Sequence, residues 1–167
     1  MINLLKDLQS CELLENYLLA GGTSVALQLG HRISDDLDLF YCGKSDYDKI
    51  FKYLENKYEN MKLIHKDESC LIVNINGIKV DILSIKGKLI EPAVVEDNIK
   101  LMGLRDISAM KMLAVRDRKE PKDYVDVAYL IEKYGLKDIF VCYKYKYNND
   151  EIQDIKIALK SSGSINP

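Results

Sequence analysis

The sequence predicts an α/β or α+β fold: a small mixed, twisted sheet with helices on one side, followed by a helical C-terminal part. Three observations carry this. A short apolar strand runs into Gly21-Gly22, then a helical stretch, then a second strand, all within Leu19 to Phe40. Two β-rich runs flank Asn76-Gly77, the preferred pair for a tight type I′ hairpin turn. Beyond Pro92 the apolar residues recur at helical spacing. The expected division is a core over residues 1–95 and a helical part over 96–167, packed on that core.

Taken in order, Ile2, Leu4, Leu5, Leu8, Leu13 and Leu14 predict one helix or two short ones. Tyr17 to Ala20 reads as a short strand. Gly21-Gly22 ends it, and Gly22 or Thr23 can cap a helix through Leu29. Gly30-His31-Arg32 turns the chain into a strand over Asp36 to Tyr41. A helix then follows Ser45 as its cap, with Ile50, Phe51 and Leu54 on one face. Met61 to His65 reads as a strand. In the hairpin, period two puts Val80 and Ile82 on one side and Lys79, Asp81 and Leu83 on the other. Ile107, Met110, Leu113 and Ala114 mark one later helix. Tyr124, Val127, Ala128 and Ile131 mark another, ending at Gly135 as C-cap. Two more helices are expected, Leu136 to about Tyr145 and Asp150 to Lys160, before a frayed "SSGSINP" end.

With 167 residues, 47% hydrophobic and 30% charged, the chain can build a real core as an ordinary globular domain. A net charge of −2 gives no bulk attraction for nucleic acid, although a local basic patch is compatible with it. No run approaches the length of a membrane span, and no basic segment followed by an apolar one opens the chain. The four cysteines are widely spaced and, with two histidines, form no zinc pattern. Reduced thiols in a cytoplasmic protein are expected.

The chemistry lies in the acids. Asp36 and Asp38 are two apart on a predicted strand, so both side chains share a face, while Asp35 points the other way. Asp81 sits on a later strand among apolar neighbours. On adjacent strands of one sheet the three carboxylates can converge. Like charges that close repel and raise each other's pKa, and a divalent cation removes the conflict. Hard oxygen ligands in that number suit Mg2+ or Mn2+ rather than zinc. Carboxylates sharing two metals are used for phosphoryl and nucleotidyl transfer. The Gly-Gly-Thr turn at a helix N-terminus offers backbone N–H groups and a positive dipole end, which suits phosphate oxygens.

The order strand, GG[TS], helix, D-x-D strand and later strand acid resembles the nucleotidyltransferase superfamily that includes DNA polymerase β. More closely it resembles the AbiEii/AbiGii toxin family of bacterial nucleotidyltransferases. "LAGGTSVALQLGHRISDDLDLF" fits GG[TS], a helix, then R-x-S-x-D-[IL]-D-[IL]-[FY], with Gly21, Gly22, Thr23, Arg32, Ser34, Asp36, Asp38 and Phe40 in those places. "DISAMKMLAVRDRKEPKDYVDVAYL" is similar to the family's lysine-bearing helix followed by an arginine and [KR]-D-x-x-D, here Lys111, Arg118, Lys122, Asp123 and Asp126. The resemblance spans roughly Leu19 to Leu130.

The resemblance implies a polymerase β-like sheet and metal-dependent transfer from a nucleoside triphosphate. Asp36, Asp38 and Asp81 would hold the metal, with Asp81 serving as, or positioning, the base that activates the acceptor. Gly21, Gly22, Thr23, Arg32 and Ser34 would face the nucleotide. Lys111 would neutralise charge on the triphosphate or leaving pyrophosphate. Asp123 would orient that lysine or contact the nucleotide. It further implies a tRNA 3′ end as acceptor and a cognate antitoxin. The alternatives are a small-molecule, antibiotic-type nucleotidyltransferase and a non-enzymatic binding module on a degenerate nucleotidyltransferase fold. Tyr143 to Tyr147, which interleaves aromatics with lysines, could stack on single-stranded RNA, but a helix surface explains it more simply. His31 reads as a solvated turn histidine, and His65 has no partner visible in sequence.

Overall fold

A computed structural model of the chain describes residues 1–148 and 152–161. Its elements are α1 (Ile2–Gln9), β1 (Leu18–Leu19), α2 (Gly21–Leu29), β2 (Leu37–Tyr41), α3 (Tyr47–Lys57), β3 (Met61–Lys66), β4 (Cys70–Ile75) and β5 (Ile78–Ser84). They continue as β6 (Val94–Glu96), β7 (Ile99–Leu101), α4 (Leu104–Asp117), α5 (Pro121–Tyr134), α6 (Leu136–Tyr147) and α7 (Gln153–Ser161). Among the described residues one mixed sheet of seven strands runs in the order β3-β4-β5-β2-β1-β7-β6. β2 pairs parallel with β5, and β1 pairs parallel with β7; the other neighbours are antiparallel.

Period two sorts the sheet into two faces. Leu37, Leu39, Val80 and Ile82 bury against Leu5 and Leu8 of α1 and Ile50 and Leu54 of α3. Leu18, Ala20 and Phe40 pack on the other side with Val25 of α2 and the residues of α4 to α7. Helices therefore cover both faces near β1, not one. The face that carries Asp38 and Asp81 is the one that looks towards α4.

Local chemistry explains where the elements differ from expectation. α1 stops at Gln9, and Leu14 reaches the core from turns. Asp46, not Ser45, caps α3: its carboxylate accepts from Lys49 N at 3.0 Å. The Ser45 hydroxyl instead bridges Tyr17 and Ser84. Strands β6 and β7 take the place of helix just after Pro92. They are joined through Asp97 and Asn98, both at positive φ, a two-residue turn of the same kind as Asn76-Gly77. Ala128 of α5 is exposed rather than part of its buried stripe. Gly135 ends α5 with φ +80 as expected. The start expected at Asp150 and most of the "SSGSINP" end lie outside the described residues. No helix among the described residues is long and apolar enough to cross a membrane.

Candidate active site

Asp38 and Asp81 are register partners on the parallel strands β2 and β5, so their side chains leave the same face side by side. Asp36 precedes β2 by one residue. All three line one cleft of about 190 Å³, together with Gly21, Gly22 and Lys111. A larger depression of about 740 Å³ near the start of α3 holds none of these residues and is lined by charges of both signs. The small cleft is the candidate site because three carboxylates gather in it with few donors to satisfy them. Among the described residues no hydrogen-bond donor reaches the Asp36 or Asp38 side chain. Asp81 Oδ2 accepts from Lys79 Nζ at 2.7 Å, while its buried Oδ1 has no partner. Burial, then the charge of Asp81, pushes the Asp38 carboxyl above its ordinary value. A desolvated carboxylate and an orphaned oxygen, in an all-oxygen set, fit a hard divalent cation.

The turn before α2 is built around this cluster. Gly21 has φ +60, and a Cβ there would lie 1.8 Å from Asp38 Oδ2. A Cβ on Gly22 would lie 2.1 Å from an Arg32 guanidinium nitrogen. Glycine lets the helix N-terminus, with first-turn N–H groups that have no intrahelical acceptor, approach the acids. Ala20 N donates to the Asp38 carbonyl at 2.8 Å, which fixes β2 against the turn.

The second wall is a buried ionic hub. Lys111, 5% exposed, pairs with Asp123 Oδ1 at 2.8 Å and Asp126 Oδ2 at 2.6 Å. Asp126 also accepts from Arg32 Nε at 2.6 Å and Nη2 at 2.9 Å, and bonds His31 Nε2 at 2.7 Å. Burial works to raise the Asp126 carboxyl, but Arg32, Lys111 and His31 outweigh it and hold it at about 2. Arg118 reaches Asp123 at 3.1 Å from the cleft side.

Of the residues singled out in the sequence, Gly21, Gly22, Arg32, Ser34, Asp36, Asp38, Asp81 and Lys111 line the cleft. Thr23 and Asp123 do not. The Thr23 hydroxyl turns inward to Ser34 Oγ at 2.9 Å and to the Asp36 carbonyl. Asp123 is buried behind Lys111. His31 is not solvated; its side chain is buried in the hub against Tyr129. In the Tyr143 to Tyr147 stretch, Tyr143 is core and Lys146 pairs with buried Asp106 at 2.5 Å, so no continuous stacking platform forms. His65 does find partners: His65, Asp67 and Cys70 are the one trio of potential ligands among the described residues with atoms within 4.8 Å of one another. There Asp67 is already satisfied by His65, Ser69 and Cys70 N.

The roles of Asp126 and Lys79 were not read from the sequence. Lys79 was visible in principle, since period two puts it on the Asp81 face. Asp126 was visible only as the second acid of D-x-x-D.

A mixed sheet with strand acids facing a glycine-turn helix and a lysine-bearing helix fits the nucleotidyltransferase class that the sequence motifs resemble. The sequence matches the family described as "Nucleotidyl transferase AbiEii toxin, Type IV TA system" over residues 3–68 and 76–160, and the chain belongs to that family. It is a nucleotidyltransferase by that membership. An uncharacterized protein of Aquifex aeolicus (strain VF5) is 31% identical over 163 residues, covering 94% of this chain and 77% of the relative. Two solved structures share the fold. The Megavirus polyadenylate synthase is 13% identical with TM-score 0.58, and the match covers 80% of this chain but only 32% of the synthase. ANT(2″)-Ia, solved in complex with adenylyl-2″-tobramycin, is 14% identical with TM-score 0.60, covering 85% of this chain and 94% of that one.

Proposed function

We propose that this nucleotidyltransferase moves a nucleotidyl group from a nucleoside triphosphate to a tRNA 3′ end, in the cytoplasm, as the toxin of a pair whose antitoxin restrains it. The observation that supports the chemistry best is the Asp38–Asp81 register pair, with Asp81 Oδ1 bare, beside Asp36 and the Gly21-Gly22 helix N-terminus. Asp36, Asp38 and Asp81 would hold Mg2+ or Mn2+, which when bound supplies charge neutralisation on phosphate oxygens.

The chain's own residues do the rest. Gly21 and Gly22 present backbone N–H groups to the phosphates, and Ser34 adds a hydroxyl. An ammonium has three donors; two of those on Lys111 face Asp123 and Asp126, leaving one for a phosphate oxygen. Asp123 is then a positioning residue. Arg32 orders the acid-bearing loop through Asp126. Asp81 accepts the acceptor's hydroxyl proton or positions the base that does. The acceptor oxygen bonds to the α-phosphorus as the bond to pyrophosphate breaks, and pyrophosphate leaves with the displaced charge.

A second reading keeps this site with a small-molecule acceptor. The net charge of −2 favours it, because tRNA binding gains from a basic surface. Incubation with each α-labelled nucleoside triphosphate, Mg2+, total tRNA and an aminoglycoside panel separates the two by which acceptor carries the label. Label on neither, with Asp38→Asn as the blank, rejects both.

A further inference from the structure

Lys79 pairs with one acid of the cluster. It stands two residues before Asp81 on β5 and shares its face. Its ammonium is 2.7 Å from Asp81 Oδ2, and its side chain, 41% exposed, reaches the cluster from the solvent side. Of the other ammonium groups lining the cleft, Lys111 pairs with Asp123 and Asp126, and Lys122 with Glu120.

The result is an asymmetric Asp81: one oxygen held by Lys79, the other buried without a donor, a costly arrangement for a carboxylate. The three acids also stop short of closing. Their oxygens are not gathered within 4.8 Å of one another, as the His65 group's ligand atoms are. Ligands on one small divalent cation sit about 2.0–2.1 Å from it and must come closer together than that. To share one cation the three acids must draw closer together, and the cation then competes with Lys79 for Asp81. Register places Lys79 opposite Asn74 of β4 on the same sheet face, and the exposed stem gives the ammonium room to swing away from the acids.

We infer that Lys79 is a positioning residue, a resident counter-ion that pairs with Asp81 in the unloaded cluster and is exchanged for the divalent cation when the site loads. This rests on the reading that those three acids are the cation's ligands. Exchange makes cation binding weaker than the acids alone would give, because each loading event first breaks the Lys79–Asp81 pair. It also keeps the unloaded cluster from carrying three uncompensated charges.

The test is Mn2+ binding to the free protein, without nucleotide, followed by calorimetry and by the electron paramagnetic resonance of unbound Mn2+. Lys79→Met should bind Mn2+ about tenfold tighter than wild type, between the size of a charge interaction in bulk water and that of one at a protein surface. Lys79→Gln repeats the comparison with a polar group beside Asp81. Lys79→Arg keeps the charge and should stay near wild type. Asp38→Asn should lose the binding. Wild-type binding that Asp38→Asn removes but that both neutral Lys79 variants leave unchanged or weaken overturns the counter-ion role and spares the metal site. No binding sensitive to Asp38→Asn in any variant overturns the metal site and the role of Lys79 with it.

Discussion

Arg32 and Asp126 meet through two hydrogen bonds, Nε to Oδ1 at 2.6 Å and Nη2 to Oδ2 at 2.9 Å, although 94 residues separate them in the chain. The pair ties the loop before β2 to α5. Asp126→Asn leaves Arg32 and the buried Lys111 short of a counter-charge, and breaking a buried pair from one side costs about 3–5 kcal/mol. Urea unfolding should register a loss of about that size. A change below about 1 kcal/mol would show that the hub does not hold the fold.

The same carboxylate sets an acid limit. Its folded-state pKa is about 2, below the ordinary value of 3.8, so its contribution is full above the unfolded value and disappears as pH falls through about 2. The contribution is about 2 kcal/mol. Melting temperatures taken from pH 6 down to pH 2 should fall more steeply below pH 4 in wild type than in Asp126→Asn.

Asp36 and Asp38 behave oppositely. No partner among the described residues depends on their charge, and Asp38 is held unfavourably by burial and Asp81. Asp36→Asn with Asp38→Asn should melt no lower than wild type without metal. It should lose both nucleotidyl transfer and the rise in melting temperature caused by Mg2+ with a triphosphate, since only native-state binding produces that rise. Clear destabilisation of the metal-free double variant would assign these acids a structural role.

Lys111 combines both kinds of effect. Lys111→Met takes a buried counter-charge from Asp123 and Asp126 and removes the ammonium proposed to meet the triphosphate. Transfer should fall by about 100-fold or more in kcat/KM, equivalent to about 2.7 kcal/mol of barrier. Steady-state kinetics on protein shown to be folded is the measurement. A loss within about twofold removes Lys111 from the phosphate site.

Gly21→Ala tests the turn. The new Cβ meets Asp38 Oδ2 at 1.8 Å at a residue with φ +60. The backbone alone costs about 1–2 kcal/mol, and Asp38 must move. Transfer should drop below detection in the labelled-nucleotide assay while the protein stays folded. Retained activity would mean that the turn tolerates a wider approach.

What was legible from sequence follows from which interactions are periodic. Val80 and Ile82 against Lys79 and Asp81 could be sorted by alternation, and Asn76-Gly77 names its own turn. The Gly21 to Asp38 unit was readable because a glycine turn, a helix and paired acids sit close together in the chain. The ionic hub was not, because His31, Arg32, Lys111 and Asp126 come from separate segments and their pairing depends on how α5 packs. His31 illustrates this: its neighbours in sequence are a turn, while its neighbours in space are Tyr129 and Asp126. Strands β6 and β7 are not legible in the sequence because three residues each carry little alternation, although Asp97-Asn98 is a usable turn signal. The separation of Thr23 and Asp123 from the cleft surface also depends on side-chain direction, which spacing alone does not supply.

The tie between Arg32 and Asp126 has a consequence for the order of biosynthesis. A ribosome completes the acid-bearing loop long before it makes the residue that anchors it. At about 5–20 residues per second, the 94 residues from Ile33 through Asp126 take on the order of 5–20 s to translate. During that interval the nascent chain holds its acids and its glycine turn without the clamp or the Lys111 wall. With the site proposed above, competence for chemistry would arrive late, with the helices rather than with the sheet.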